Sequence, residues 1–338
     1  VSTQPNADLS ARLAAFLSAA ASAPAELTAL APIPGGASMA TWSIDAVIGG
    51  APQALVLRMD LASNMNPAAL TRAQEFALLR AAHAGGVLVP RPRWLDPDGA
   101  ALGRPGFLMD RVAGESIGPR VVRRPELAAA RTALVGQMAE QLARIHALDP
   151  APLDFLQRPP PGRSPAQHAL DATRALLDSI GVARPALEFG LRWLERRAPA
   201  CPQPTLVHGD FRIGNLLVGP DGLSAVIDWE FAHVGDPHED LAWPCLRDWR
   251  FGADSLRVGG VGQLEPFIAA YQSASGRAVD RVALRYWEIL GNLRWAATCY
   301  SQAQRHLSGA DPSVEYASLG RRAAEMELEF LSLIDLSG

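Results

Sequence analysis

Between residues 25 and 60 short apolar runs alternate with polar positions and are broken by glycine and proline, the pattern of half-buried strands. Runs at 26–33, 41–48 and 54–59 are separated by turn segments at 34–38 and 49–52, which predicts an antiparallel meander. Ahead of them Leu9, Leu13, Phe16, Leu17 and Ala20 recur at helical spacing and predict an amphipathic surface helix. Asp8 before that run and Arg12 within it argue against a secretory signal peptide. A further helix is predicted after the meander, with Asn66 as N-cap, Pro67 at its first position and Gly85-Gly86 as its stop. Strands at 92–95 and 107–112 complete a sheet of five.

From about residue 113 the period changes to that of helices. Helical runs fall at 127–148, 166–180 and 185–197, with a proline-, arginine- and glycine-rich surface loop at 157–165. The run 264–334 is helical again, with breaks at Gly276 and around 309–312. One short β unit, 205–229, interrupts the helices. No period of a solenoid repeat is present. The expectation is an α+β chain of two lobes. Residues 1–112 form a small, antiparallel β-rich lobe with its hinge near 109–112, and residues 113–338 form a larger, mainly helical lobe.

Composition narrows the chemistry. The chain carries 31 basic and 35 acidic residues among 338, and every basic one is arginine. With no lysine there is neither a Walker A phosphate loop nor an amine for Schiff-base or pyridoxal chemistry. The bias fits a GC-rich coding sequence, but it also means that any phosphate must be handled by arginine, backbone or metal. A net charge of -4 without a basic tract argues against nucleic-acid binding. Cys201, Cys245 and Cys299 are far apart, so neither a disulfide framework nor a zinc knuckle is expected, and a reducing, cytoplasmic setting fits. No apolar run reaches the roughly 18 residues that suggest a membrane span.

The chemistry concentrates between Leu206 and Glu230. His208-Gly209-Asp210 follows a short apolar strand, and the glycine lets the chain turn so that Asp210 projects. Asn215 then opens Leu216-Leu217-Val218, Gly219-Pro220-Asp221-Gly222 turns the chain, and Ala225-Val226-Ile227 returns to Asp228. Three-residue arms around a four-residue loop would bring Asn215 and Asp228 to one end of a hairpin. Two hard oxygen donors of this kind suit Mg²⁺, which takes one or two carboxylates together with substrate phosphates. Asp210 is then left to accept a proton from an attacking hydroxyl.

The order Asp210, four residues, Asn215, hairpin, Asp228 resembles the catalytic loop and metal-binding Asp of protein kinases. The spelling His208-Gly209-Asp210…Asn215…Ile227-Asp228-Trp229-Glu230, continued by Gly235-Asp236-Pro237 and Asp240-Leu241-Ala242-Trp243, resembles the aminoglycoside phosphotransferase and choline kinase family. Within it the chain is similar to the phosphotransferase domains fused to animal acyl-CoA dehydrogenases, also in Trp249-Arg250-Phe251-Gly252 and Gly320-Arg321-Arg322. The resemblance spans roughly residues 25–335. It implies a two-lobed protein-kinase-like fold and an ATP- and Mg²⁺-dependent kinase acting on a small-molecule hydroxyl. Asp210 would be the catalytic base, Asn215 and Asp228 the Mg²⁺ ligands, and His208 a support of the turn. Gly35, Gly36 and Ser38 align with the loop over the phosphates, and Arg58 takes the position where most kinases have lysine. Glu75 is its acidic partner, and Met109, Asp110 and Arg111 form the hinge that would bind adenine.

Other readings stand beside these. Arg58 could end a strand facing solvent, and Glu75 could pair only with Arg72 on the helix surface. His233, Asp236, His238 and Asp240 could suggest a transition-metal site, although structural bracing by Asp236 and Asp240 is the better expectation. Trp243 and Trp249 are expected in the core, and the role of Glu230 stays open. Arg247, Arg250 and Arg257, balanced by Asp248 and Asp254, hint at a neutral or anionic acceptor, for which the resemblance suggests a hydroxyacyl compound or its CoA thioester. An aminoglycoside or choline-type kinase, or a nucleotide-binding module without turnover, remains the alternative. Oligomeric state is not legible.

Overall fold

The computed structural model describes residues 7–33, 39–61, 69–181 and 183–334. By its internal contacts the chain divides into two compact units, residues 1–114 with 224–231, and residues 115–223 with 232–338.

The first unit is built on a five-stranded antiparallel sheet in the order β1-β2-β3-β5-β4. Its strands are β1 (Ala25–Pro32), β2 (Met39–Ile48), β3 (Ala51–Asp60), β4 (Pro92–Asp96) and β5 (Gly106–Asp110). The β2–β3 connection is tighter than the sequence suggests. Ile48 pairs with Ala51, so only Gly49 and Gly50 turn, both at positive φ (58° and 83°), as a two-residue hairpin loop of the primed type requires. Helix α1 (Ala7–Ala21) inserts Leu13 and Leu17, both fully buried, against Trp42, Ile44, Leu55 and Leu57. Each such leucine contributes about 1.5–3 kcal/mol by leaving water. Along β3 the side chains alternate in direction, so Leu55, Leu57 and Met59 join this core while Arg58 turns to the opposite face. There it meets helix α2 (Arg72–Ala84).

Helix α2 starts later than expected. Its N-cap is Thr71, in a reciprocal box with Gln74: the Gln74 N–H donates to Thr71 Oγ1 at 3.3 Å and the Thr71 N–H donates to Gln74 Oε1 at 2.9 Å. Asn66 and Pro67 lie outside the described residues. Gly85 caps the far end, as predicted. The segment 224–231 groups with this unit because it is bonded into it. The Val226 N–H donates to the Leu88 carbonyl, the Leu70 N–H to the Glu230 carbonyl, and the Arg58 guanidinium to Asp228.

The second unit is mainly helical. It comprises α3 (Gly118–Arg123), α4 (Ala128–Ala147), α5 (Pro165–Ile180), α6 (Pro185–Glu195), α7 (Pro237–Ala242), α8 (Leu264–Ser275), α9 (Arg281–Leu307) and α10 (Val314–Leu333). A capping box between Ser164 and Gln167 ends the surface loop and starts α5. Helix α9 forms the axis of the unit and packs against α5, α6, α7 and α10. Strand β6 (Thr205–Val207) pairs antiparallel with β9 (His233–Gly235). Strands β7 (Leu216–Gly219) and β8 (Gly222–Val226) form a hairpin whose loop is only Pro220-Asp221, because both flanking glycines join the strands. Among the described residues no helix is long and apolar enough to cross a membrane.

Candidate active site

Asp210 lies at the end of a turn built to hold it. Gly209 has φ +80°, and its N–H and that of His208 donate to the two oxygens of Asp240 at 3.0 and 2.7 Å. Asp240 is fully buried and also meets His146 Nε2 at 3.2 Å. The His208 ring, itself fully buried, accepts the Asp210 N–H on Nδ1 at 3.2 Å. His208 and Asp240 therefore brace the turn, as expected, and Asp236 caps α7 through the His238 N–H at 2.9 Å.

The Asp210 carboxylate is held by three side chains. Oδ1 accepts from Trp243 Nε1 at 2.6 Å and from Arg212 Nε at 3.1 Å; Oδ2 accepts from Asn215 Nδ2 at 2.6 Å. Asn215, in the 3₁₀ turn Ile213–Asn215, also donates Nδ2 to the Asp210 carbonyl at 2.9 Å. With both amide protons directed inward, Oδ1 is the atom of Asn215 left to act as a ligand.

A second cluster lies in the first unit. Arg58 is buried, with Nη2 at 3.3 Å from Glu75 Oε1 and 3.0 Å from Asp228 Oδ1. Burial opposes its charge, but Glu75 and Asp228 outweigh that and raise the guanidinium pKa above its ordinary value. Glu75 is 1% exposed and bonds Arg72 as well, which in turn reaches Asp60 at 3.0 Å and the Leu70 carbonyl at 2.7 Å. Both partners anticipated for Glu75 are thus present at once, and Arg58 does not face solvent. Asp228 has φ +68°, a left-handed conformation that Asp tolerates better than most residues.

Asn215 carries an amide oxygen and Asp228 a carboxylate, each by itself a hard oxygen donor of the kind Mg²⁺ takes. Among the described residues no group of three or more His, Cys, Asp and Glu side chains is arranged to hold a metal. The histidine-aspartate set near β9 is engaged internally instead, His233 with Glu239 at 3.3 Å and His238 with Asp236 at 2.7 Å. Burial pushes the Cys201 and Cys299 thiols up to about 12, so neither is a thiolate nucleophile at neutral pH.

The profile of the phosphotransferase enzyme family matches residues 29–286. The chain belongs to this family. Among similar proteins, acyl-CoA dehydrogenase family member 10 of Mus musculus is 31% identical over 202 residues, covering 58% of this chain and 18% of its own length. Acyl-CoA dehydrogenase family member 11 of Gallus gallus is 27% identical over 306 residues, covering 84% and 38%. The chain thus spans less than two fifths of either relative. A Ralstonia eutropha structure assigned to the aminoglycoside phosphotransferases superposes with a TM-score of 0.72 at 21% identity, covering 91% of this chain and 92% of that one. The fold is that of the kinase-like phosphotransferases.

In this member of the phosphotransferase enzyme family, the residues expected to form the hinge are partly committed to the sheet. The Asp110 and Arg111 N–H groups donate to the Arg91 and Ala54 carbonyls, both at 2.9 Å. Their side chains pair with Arg93 and with Asp45 and Ser43, while Met109 is buried between β3 and β4. Gly35, Gly36 and Ser38 lie outside the described residues. The arginines after Trp243 are internally paired: Arg247 with Asp254 at 2.8 Å, Arg250 with Glu329 at 2.7 Å and Arg257 with Glu288 at 2.5 Å. This removes the charge argument for an anionic acceptor, because those charges stabilise the helical unit. The contacts of Trp243 and Arg212 with Asp210 were not anticipated. Arg212 lies two residues after Asp210 and could have been suspected, whereas Trp243 reads only as core.

Proposed function

We propose that the chain is an ATP- and Mg²⁺-dependent kinase that transfers the γ-phosphoryl group to a hydroxyl of a small molecule. The observation that carries this reading is the Asp210–Asn215 pair: a carboxylate fixed by three donors, beside an asparagine whose amide protons point inward. Asp210 orients the acceptor alcohol and takes its proton. Asn215 and Asp228 would hold Mg²⁺, which when bound neutralises charge on the phosphates. Arg58, buttressed by Glu75, binds the nucleotide phosphates in place of lysine. Residues 1–112 act as the nucleotide lobe and 113–338 carry the acceptor. With the Asp110 and Arg111 N–H groups engaged, backbone donors to adenine come from Val112 onward. The relatives named for acyl-CoA dehydrogenases favour a hydroxyacyl compound or its CoA thioester as acceptor.

The test is a mass-spectrometric screen of a metabolite extract, aminoglycosides, choline and hydroxyacyl-CoA thioesters for Mg²⁺-dependent gain of one phosphoryl group from ATP. Asp210→Asn is expected to lower transfer at least a hundredfold. Full transfer by that variant would refute the role of Asp210. A second reading, a nucleotide-binding module without turnover, is favoured by one observation: Asp228 is already ion-paired to Arg58 at 3.0 Å. Nucleotide binding with no transfer to any alcohol or to water would support it.

A further inference from the structure

Trp243 opens the 3₁₀ turn Trp243–Cys245 immediately after α7, and its side chain is almost wholly buried. The ring is fixed from several directions. Arg294 places its guanidinium carbon 4.5 Å from the ring centre, and is itself held by Glu239 at 2.9 Å. Trp249 packs beside it with ring centres 5.9 Å apart and is backed in turn by Trp295 at 4.8 Å. Gly291 of α9 passes close enough that a Cβ there would lie 3.5 Å from Trp243 Cε3 and 2.9 Å from Leu246 Cδ1. The one polar atom of this clamped ring, Nε1, donates to Asp210 Oδ1 at 2.6 Å.

Core packing alone does not require that bond. The neighbouring Trp249 Nε1 is equally buried and has no hydrogen-bond partner among the described residues. The tryptophan cluster therefore tolerates an unpartnered indole, yet it aims this one at the carboxylate. The consequence for Asp210 is a fixed orientation. Trp243 Nε1 holds Oδ1 and Asn215 Nδ2 holds Oδ2, each at 2.6 Å, while Arg212 Nε is shared between the two oxygens at 3.1 and 3.3 Å.

We propose that Trp243 is a positioning residue that, by holding Oδ1 opposite Asn215, fixes the plane in which the Asp210 carboxylate meets the acceptor's proton. This rests on the reading of Asp210 as the base. As the acceptor oxygen bonds to the γ-phosphorus, the bond from that phosphorus to the β–γ bridging oxygen breaks and its electron pair leaves with ADP. The hydroxyl proton passes to the Asp210 carboxylate and afterwards to solvent.

Two measurements test the proposal. In protein labelled with ¹⁵N at tryptophan, the Trp243 indole N–H is identified by its disappearance in Trp243→Phe. It is expected at low field, and to move upfield in Asp210→Ala; a resonance that does not move overturns the contact. In single-turnover assays with Mg²⁺-ATP and either water or the alcohols of the screen as acceptor, Trp243→Phe should lower the transfer rate roughly ten- to hundredfold. The KM for ATP should stay within about twofold. In the Asp210→Ala background the same substitution should change nothing further, because its effect passes through that carboxylate. An unchanged rate in Trp243→Phe, or a loss that adds to that of Asp210→Ala, overturns the role of Trp243. Full transfer by Asp210→Ala instead overturns the reading of Asp210 on which it rests.

Discussion

Arg58 places one guanidinium nitrogen against two carboxylates, the buried Glu75 and the partly exposed Asp228. Because a single nitrogen meets both, a lysine ammonium could serve the same pair, but on a shorter reach and without the remaining guanidinium N–H groups. Arg58→Ala is expected to cost about 1–3 kcal/mol of stability, since it removes one of the two cations of the buried Glu75, and to weaken ATP binding strongly. Arg58→Lys should keep most of the stability and lose part of the ATP affinity. Urea unfolding and calorimetric titration with ATP separate the two effects. At this scale the sequence was readable where partners lie close along the chain. Asp210 and Asn215 are separated by four residues, and the turn that presents them is spelled by His208-Gly209. It was misleading where partners are remote. Arg250 and Arg257 look like surface charges until Glu329 and Glu288 are brought to them by folding, and nothing local marks Trp243 as a donor to Asp210.

Helix α2 shows how a small motif sets an element that carries chemistry, since it presents Glu75 one turn after its cap. Thr71→Ala removes the oxygen that accepts the Gln74 N–H and should destabilise the protein by about 1 kcal/mol, read as a lower urea midpoint with an unchanged slope. The Thr71-x-x-Gln74 box is legible in the sequence, but Asn66-Pro67 offered a competing start, and tertiary packing decides between such signals. Periodicity found the five strands and the long helices α4, α5, α8, α9 and α10 because each is long enough to show its repeat. The six-residue helices α3 and α7 were not foreseen. Each is less than two turns long and depends on fitted contacts, such as the Phe251 ring against Gly118, where an added Cβ would lie 2.1 Å away. Nor does alternation reveal that β5 inserts between β3 and β4, because strand order is decided by pairing across the sheet.

Across the described residues most charge is at least partly exposed, and the buried minority includes internal ion pairs such as Arg58–Glu75 and Arg250–Glu288. Glu239 is the clearest case for pH. Burial alone would raise its pKa, but His233 and Arg294 more than offset this and hold it at about 2, below its ordinary value near 4.5. A carboxylate depressed in the folded state stabilises fully above its unfolded pKa, and that contribution is lost as pH falls from about 4.5 to about 2. The loss is on the order of 3 kcal/mol. Thermal midpoints measured down this range should fall less steeply for Glu239→Gln than for the unaltered chain; an identical slope would show that Glu239 is not the group responsible. The path of the chain has a consequence for inheritance. It passes from one unit to the other after residues 114, 223 and 231, so Asp228 reaches Arg58 on a short excursion out of the second unit's sequence. No single crossover in a gene can exchange the sheet-bearing unit whole. A fragment ending at residue 114 carries Arg58 and Glu75 but leaves their third partner behind, and a chimera joined there imports a foreign Asp228 segment against a native Arg58. Recombination at that point is therefore expected to succeed only between parents that already agree at residues 224–231, which ties the two stretches into one heritable module despite their distance in sequence.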